Sequence, residues 1–486
     1  MIKYEIIEKY VDIHPDKIAL RDNNDDISWV EFKLYTQLVI DAVKQLDGLQ
    51  DGDPCLFLSE NSMDVVILGA ACSTLGIPLQ GIDYHLDLVT LKKIIKDINA
   101  KHVFLSIELE HLLTGLNEVC QVHSLQRFIE VAKRSSQKIS TTPVSNQYFK
   151  SYSFTSGTTG IPKIVYRTRS FDKKRFEYLQ NRYSFDANDI HLVCLPMYHV
   201  SSTGWLRLFL NLGCTAIIQN FNDGYHLCEI IHKHHVSTTI MSPPMLQQIL
   251  SELEDEPHAS GYFSALRFII TGGKNCSVKI KHEAILKLGK IIYEYYGTTE
   301  TGINTLLDPD EAIQYPGSVG REFEGNDIAI LDVNNIKVIA GEVGRIAIHS
   351  YMNMDKYLNH PIGLATINEK KYLLTSDYGY KNANGYLFVV QRSNYHPKNI
   401  YNFYGIENEI LNLNYLSDAY VTESKENKTV SIRVVPKRYY PFSEVQSDIK
   451  KISEKFGINN PIIHVSSKLD YTLTGKIKSL STLPTK

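Results

Sequence analysis

Apolar residues in the first part of the chain recur with two different periods. The short runs "CLFLS" from Cys55 and "HVFLS" from His102 have the length and composition of buried strands. Between them lie "MDVVILGAACSTLGI" and a segment carrying Leu91, Ile94, Ile95 and Ile98 at helical spacing, so the order is strand, helix, helix, strand. The rhythm resumes in "HLVCLP", "CTAIIQ", "STTIMS", "RFIITG" and "KIIYEYY", each separated from the next by a helix-length stretch. This pattern predicts an α/β protein: a large N-terminal domain of stacked, mostly parallel sheets with flanking helices, and ligands at the carboxyl ends of the strands. From about Gly317 to Val390 the strands become short and alternating, with Gly and Asn turns, as in "GRIAIHS" and "GYLFVV". That predicts a small barrel or sheet. Two short strands either side of Asn427 and a helix near Ser443 then predict a separate, small α+β unit.

Composition sets bounds on function. The chain has 486 residues, 43% of them hydrophobic, which is too long for one ordinary domain and ample for a large core. Lys and Arg number 51 against 54 Asp and Glu, a net charge of -3 that gives no overall field for nucleic acid or an acidic membrane. The longest apolar run, Val65 to Cys72, is far short of a membrane span, and the first residues interleave charges with apolar side chains. A cytoplasmic protein with no integral membrane span is expected. The seven cysteines are scattered with no CxxC pair, and read as reduced core thiols. His232, His234 and His235 in "IIHKHHV" read as the polar end of a helix rather than a metal site.

Three constellations carry candidate chemistry. The first is "SFTSGTTGIPKIV", in which Thr155, Ser156, Gly157, Thr158, Thr159 and Gly160 offer hydroxyls and unobstructed backbone N–H groups, followed by the positive charge of Lys163. It reads as a phosphate cradle, with an ordinary Ser/Thr/Gly loop as the plainer alternative, and not as a Walker A loop, because Ile161 and Pro162 separate the glycine from the lysine. The second is "YEYYGTTETG", where a strand ends at Gly297 and presents Thr298, Thr299 and Glu300; a lone carboxylate there suits a magnesium ion bridging phosphates, while a helix cap is the plainer alternative. The third is split between Asp377 in "TSDYGY", able to accept two sugar hydroxyls, and Lys476 in "LTGKIKSL", a cation on a glycine hairpin; in isolation a solvated surface residue is the plainer reading of each.

Together, the order and spacing of these segments resemble the adenylate-forming superfamily of acyl- and aryl-CoA ligases, adenylation domains and luciferases, over essentially the whole chain. "LSENSMDVVILGAACSTLGI", "LPMYHVSSTG", "TGGK" and "GEVGRIAI" add weaker matches. The resemblance implies a fold with a large AMP-binding domain, residues 1–391, and a small mobile lid, residues 392–486, hinged near Asn394. It implies ATP, magnesium and coenzyme A as cofactors. A small carboxylic acid would be activated as the acyl-adenylate and passed to the thiol of coenzyme A or of a pantetheinyl carrier protein. Carried over, Thr155, Ser156, Thr158, Thr159 and Lys163 would hold the β- and γ-phosphates, Glu300 the metal, Thr299 the α-phosphate, and Asp377 the ribose with Arg392 nearby. Gly272, Gly273 and Tyr296 would flank the adenine, and Lys476 would neutralise charge in the transition state. His199 stands where amino-acid activators carry an aspartate, so a simple carboxylic acid is expected as substrate. The chain departs from the family pattern at the hinge, with Gln391 for glycine, Asn394 for aspartate and no glycine soon after Lys398. These departures predict a thioester step slower than adenylation. A nucleotide-binding scaffold or sensor with impaired catalysis is the alternative of another class.

Overall fold

The computed structural model describes residues 1–135, 150–155, 162–168, 173–255, 261–393, 399–424, 428–438, 440–472, 475 and 477. The chain forms two compact units that do not follow chain order. The first comprises residues 1–240, 261–267 and 354–362; the second comprises 241–260, 268–353 and 363–486.

The first unit contains the predicted βα alternation. Strands Leu79–Gly81, Cys55–Leu58, His102–Leu105 and Gln121–Ser124 lie side by side in that order, all parallel. A second parallel set runs Thr238–Met241, Ile190–Val193, Thr215–Ile218 and Ile18–Arg21, with Asp26–Ser28 added antiparallel at the edge. Helix Met63–Leu75 is buried on almost every side, which explains an apolar sequence with no polar stripe. Ser62 caps its start by accepting from the Val65 N–H, and Gly76 closes it in the left-handed region at φ 73°. Helix Trp29–Lys44 begins with a capping box between Ser28 and Glu31.

Just ahead of helix Met63–Leu75, the buried Asn61 fastens two strand exits together. Its amide nitrogen donates to the carbonyls of Leu195 at 3.0 Å and Gln219 at 2.8 Å, and its oxygen accepts from the Met197 N–H at 2.7 Å. A third, antiparallel set pairs Ser151–Phe154 with Ile164–Arg167, and Ile164–Arg167 with Lys356–Tyr357.

In the second unit Phe268–Gly272 runs parallel to Ile292–Thr298, which pairs antiparallel with Gly302–Leu307. The alternating region forms a five-stranded antiparallel sheet of Asn326–Leu331, Gly344–Ser350, Lys370–Lys381, Leu364–Ile367 and Leu387–Arg392. Strands Leu416–Glu423 and Val430–Pro436 flank Asn427 as expected, and Ile462–Val465 adds parallel to the second. Helices Phe403–Leu411 and Phe442–Lys455 cover this sheet, with Phe403, Ile406, Ile410, Val445 and Ile449 in one core with Ile432 and Val434.

Candidate functional site

Strand Ile292–Thr298 ends where its register against Gly302–Leu307 shifts, between Tyr296 and Gly297. A side chain at Gly297 would collide with the Gly302 carbonyl oxygen, so the backbone there closes into a turn only glycine permits. The turn carries Thr299 and Glu300. It leads into a strand and not a helix, which disposes of the helix-cap alternative for the Thr–Glu pair. Behind it stands a buried ion pair, Lys281 Nζ to Glu294 Oε2 at 2.6 Å, with burial holding the Glu294 carboxyl above its ordinary range.

Tyr296 reaches across to the five-stranded sheet. Its hydroxyl donates to Asp377 Oδ2 at 2.8 Å, and Arg392, the register partner of Asp377, brings Nε to 3.8 Å from the other carboxylate oxygen. The backbone N–H of Asp377 is accepted by the Thr375 hydroxyl at 3.1 Å. Asp377 is 5% exposed, whereas the Arg392 side chain is half exposed. The Asp377 carboxylate is the main influence raising the Arg392 guanidinium, and the Glu300 and Tyr404 groups add to it. Burial raises the Tyr296 phenol well above its ordinary value, so it stays a neutral hydrogen-bond donor. A fixed carboxylate, an oriented phenol and a permanent cation thus converge on one edge of this unit.

Strand Phe268–Gly272 ends in the turn Gly273–Lys274–Asn275. Gly273 lies at φ 80°, and a side chain at Gly272 would strike the ring of Tyr295. Asn275 Nδ2 donates to Glu407 Oε2 at 3.2 Å, and the other Glu407 oxygen accepts from the Val421 N–H at 3.0 Å. Burial pushes the Glu407 carboxyl up to about 7, against the opposing pull of these bonds and of Lys274. Lys274 Nζ stands 3.6 Å from the centre of the Tyr471 ring, and Gly475 packs against Lys274 and Pro244. Gly475 therefore lies against the turn that follows Gly272 and Gly273. Sequence reasoning did not single out Lys274, Tyr404 or Glu407; the position of Lys274 in "TGGK" was the one available signal.

In the first unit, the two ends of the Ser/Thr/Gly loop are pinned to each other. The Thr155 N–H donates to the Lys163 carbonyl at 3.0 Å, and the Lys163 N–H donates to Thr155 Oγ1 at 3.2 Å. Asn359 clamps the exit, accepting from the Ile164 N–H at 3.0 Å and donating to the Pro162 carbonyl at 3.1 Å. Lys163 Nζ lies 5.2 Å from the centre of the Tyr357 ring. His199 begins helix Val200–Asn211, its ring 4.6 Å from that of Tyr198.

The profile of the AMP-binding enzyme family matches residues 7–358. The chain belongs to that family. Among its similar members, 2-succinylbenzoate–CoA ligase of Bacillus pumilus is 26% identical over 346 residues, covering 71% of this chain and 69% of the relative. A fatty acid–[acyl-carrier-protein] ligase of Streptomyces coeruleorubidus is 24% identical over 367 residues, covering 71% and 68%. In fold, the o-succinylbenzoate CoA synthetase of Bacillus subtilis, solved with its acyl-adenylate intermediate, superposes with a TM-score of 0.81 at 19% identity over 99% of this chain and 98% of that one. The chain therefore shares the fold of that synthetase.

Of the residues the motifs nominate in this AMP-binding enzyme, the second unit brings together Tyr296, Asp377 and Arg392, with Gly297, Thr299 and Glu300 on the adjoining turn and Gly272 and Gly273 on the neighbouring strand end. Thr155, Lys163 and His199 belong to the first unit. Ser156, Gly157, Thr158, Thr159, Gly160, Asn394 and Lys476 lie outside the described residues. Among the described residues no three His, Cys, Asp or Glu side chains form a metal cage. A single carboxylate at a strand end, Glu300, nonetheless fits a magnesium ion whose remaining ligands are phosphate oxygens and water. No helix of the described residues is long and apolar enough to cross a membrane.

Proposed function

We propose that this AMP-binding enzyme is an ATP-dependent acid–thiol ligase that converts a small carboxylic acid to its acyl-adenylate, with release of pyrophosphate, and then to a thioester of coenzyme A. The observation that carries the reading is the Tyr296–Asp377–Arg392 constellation in a chain of this family. Asp377, fixed by the Tyr296 hydroxyl, has further lone pairs for the two ribose hydroxyls, and Arg392 adds a charge that stays positive at any working pH. Gly272 and Gly273 flank the adenine together with Tyr296. Thr155, Ser156, Gly157, Thr158, Thr159, Gly160 and Lys163 hold the β- and γ-phosphates, and Thr299 the α-phosphate. A magnesium ion, when held by Glu300, supplies charge neutralisation between the phosphates.

Because both reactants are anions, the enzyme's principal task is alignment and neutralisation of charge developing on the phosphoryl oxygens. Lys476 is assigned to that task. His199 lines the approach of the acid and replaces the carboxylate that would be wanted for an ammonium group. Residues 392–486 act as a lid hinged near Asn394. The Streptomyces relative, whose name specifies a carrier protein, supports a second acceptor, the pantetheine thiol of such a carrier.

ATP–pyrophosphate exchange over a panel of carboxylic acids tests the reading. Exchange stimulated by one acid class, followed by thioester formation when coenzyme A or a loaded carrier is added, supports it and identifies the acceptor. ATP binding with no exchange for any acid would instead leave a nucleotide-binding scaffold. If exchange is present, rapid quench with coenzyme A should show acyl-adenylate accumulating ahead of thioester.

A further inference from the structure

Beneath the turn that carries Thr299 and Glu300 runs a chain of polar side chains that none of the roles above employs. Asn304 and Thr301 are fully buried. Asn304 Nδ2 donates to Thr301 Oγ1 at 2.7 Å, and Thr301 Oγ1 lies 2.9 Å from Thr298 Oγ1, which also accepts the Thr301 backbone N–H at 3.2 Å. With the amide of Asn304 filling its acceptor role, the Thr301 hydroxyl has its proton left for Thr298. Asn304 is itself held from behind. Its carbonyl accepts from the Phe323 N–H at 2.8 Å and from Asn326 Nδ2 at 3.1 Å, and Asn326 Nδ2 also reaches the Ile303 carbonyl at 3.0 Å.

A tight turn needs none of this to close. Glycines at 297 and 302 already permit it, the latter at φ 72°. Buried polar chains are costly unless every member is satisfied, and the side-chain amide oxygens of Asn304 and Asn326 have no partner among the described residues, so stability alone is a poor reason to keep this one. Its geometric effect is to tie both ends of the four-residue turn, Thr298 and Thr301, to a rigid strand.

We propose that Asn304 and Thr301 are positioning residues that, through Thr298, hold the Thr299–Glu300 turn at the place where the metal–nucleotide complex is bound. The proposal rests on the assignment of Thr299 and Glu300 to phosphate and magnesium. Removing the chain lets the turn wander, and misplacement of catalytic groups by about 1 Å typically costs on the order of 100-fold in rate.

The test compares Thr301→Val, which keeps the volume and removes the hydroxyl, with Thr301→Ser, which restores it. Two readouts are taken on the full-length protein: ATP binding by calorimetry across a magnesium titration, and pyrophosphate exchange with the best acid. For Thr301→Val the half-saturating magnesium concentration should rise about tenfold and exchange fall about 10- to 100-fold. Thr301→Ser should return both to within about twofold of the parent. Thr298→Val, at a less buried position, should reproduce the Thr301→Val effect, and the double variant should be no worse than either single one, as expected of groups acting through one chain. A Thr301→Val protein that melts earlier yet keeps the parent's magnesium titration, or additive losses in the double variant, would overturn the proposal and leave the chain a purely structural one. If the parent binds magnesium–ATP but exchanges with no acid, the ligase reading fails, while the binding arm still decides the role of the chain.

Discussion

Asp377 is the residue on which the nucleotide reading turns. It is a buried carboxylate with one oxygen satisfied by Tyr296 and capacity to spare. Hydrogen bonds to a charged group are each worth about 1.5–3 kcal/mol, which corresponds to roughly 10- to 150-fold in affinity. Asp377→Asn keeps the shape and an acceptor for Tyr296 while removing the charge. It should weaken AMP and ATP binding by about that factor, with Tyr296→Phe costing less, as measured by fluorescence or calorimetric titration. Glu407 makes a different prediction. Its carboxyl is raised from 4.5 to about 7 by burial, so the folded protein holds that proton more tightly than the unfolded chain. The corresponding stability is fully present below about pH 4.5 and is lost as pH rises through about 7. Glu407→Gln should flatten this part of the profile, seen as a smaller drop in melting temperature between pH 5 and pH 8 than in the parent. Asp377 and Glu300 were legible because they sit in short motifs. Glu407 was not, since one glutamate on an amphipathic helix reads as a solvated charge until the fold buries it.

At the scale of elements, strand and helix periods were read correctly where apolar runs are long, as at Cys55–Leu58 and Leu88–Ile98. What the period cannot supply is partnership between distant segments. The pairing of Lys356–Tyr357 with Ile164–Arg167 and the clamp of Asn359 on Pro162 join stretches far apart in sequence, and neither has a local signature. Asn61 shows the same thing within the segment "LSENSMDVVILGAACSTLGI": the structure makes it a rivet between two strand exits, and no local pattern announces that. Asn61→Ala would remove the side-chain partner of the Gln219 carbonyl and of the Met197 N–H in a buried place, while the Leu195 carbonyl keeps the Ser202 hydroxyl at 2.8 Å. At about 1–3 kcal/mol for an unmet buried group, the variant should lose roughly 2–4 kcal/mol of stability. Denaturant unfolding checks this, and a loss below about 0.5 kcal/mol would show that water replaces the side chain.

At the scale of the whole molecule, the chain weaves between its units, with residues 261–267 and 354–362 returning to the first. Motif order along the sequence therefore gave the inventory of the candidate site without its spatial arrangement. The proposed division of labour nonetheless has a sharp consequence. If Lys476 supplies its charge only as the phosphoryl group transfers, Lys476→Ala should slow adenylation on the order of 100- to 1000-fold while ATP binding stays within a few-fold of the parent. Equal losses in both, measured by exchange and by titration, would assign Lys476 to ground-state binding. The central claim is that the acid attacks the α-phosphorus of ATP, and isotope transfer tests it most directly. The acid identified by exchange is supplied with both carboxyl oxygens as oxygen-18, turnover is carried out with the thiol acceptor in ordinary water, and the nucleotide and phosphate products are examined by mass spectrometry. The account predicts one oxygen-18 atom in each AMP formed and none in pyrophosphate or inorganic phosphate. Label in inorganic phosphate alongside ADP, or AMP formed without label, would contradict it.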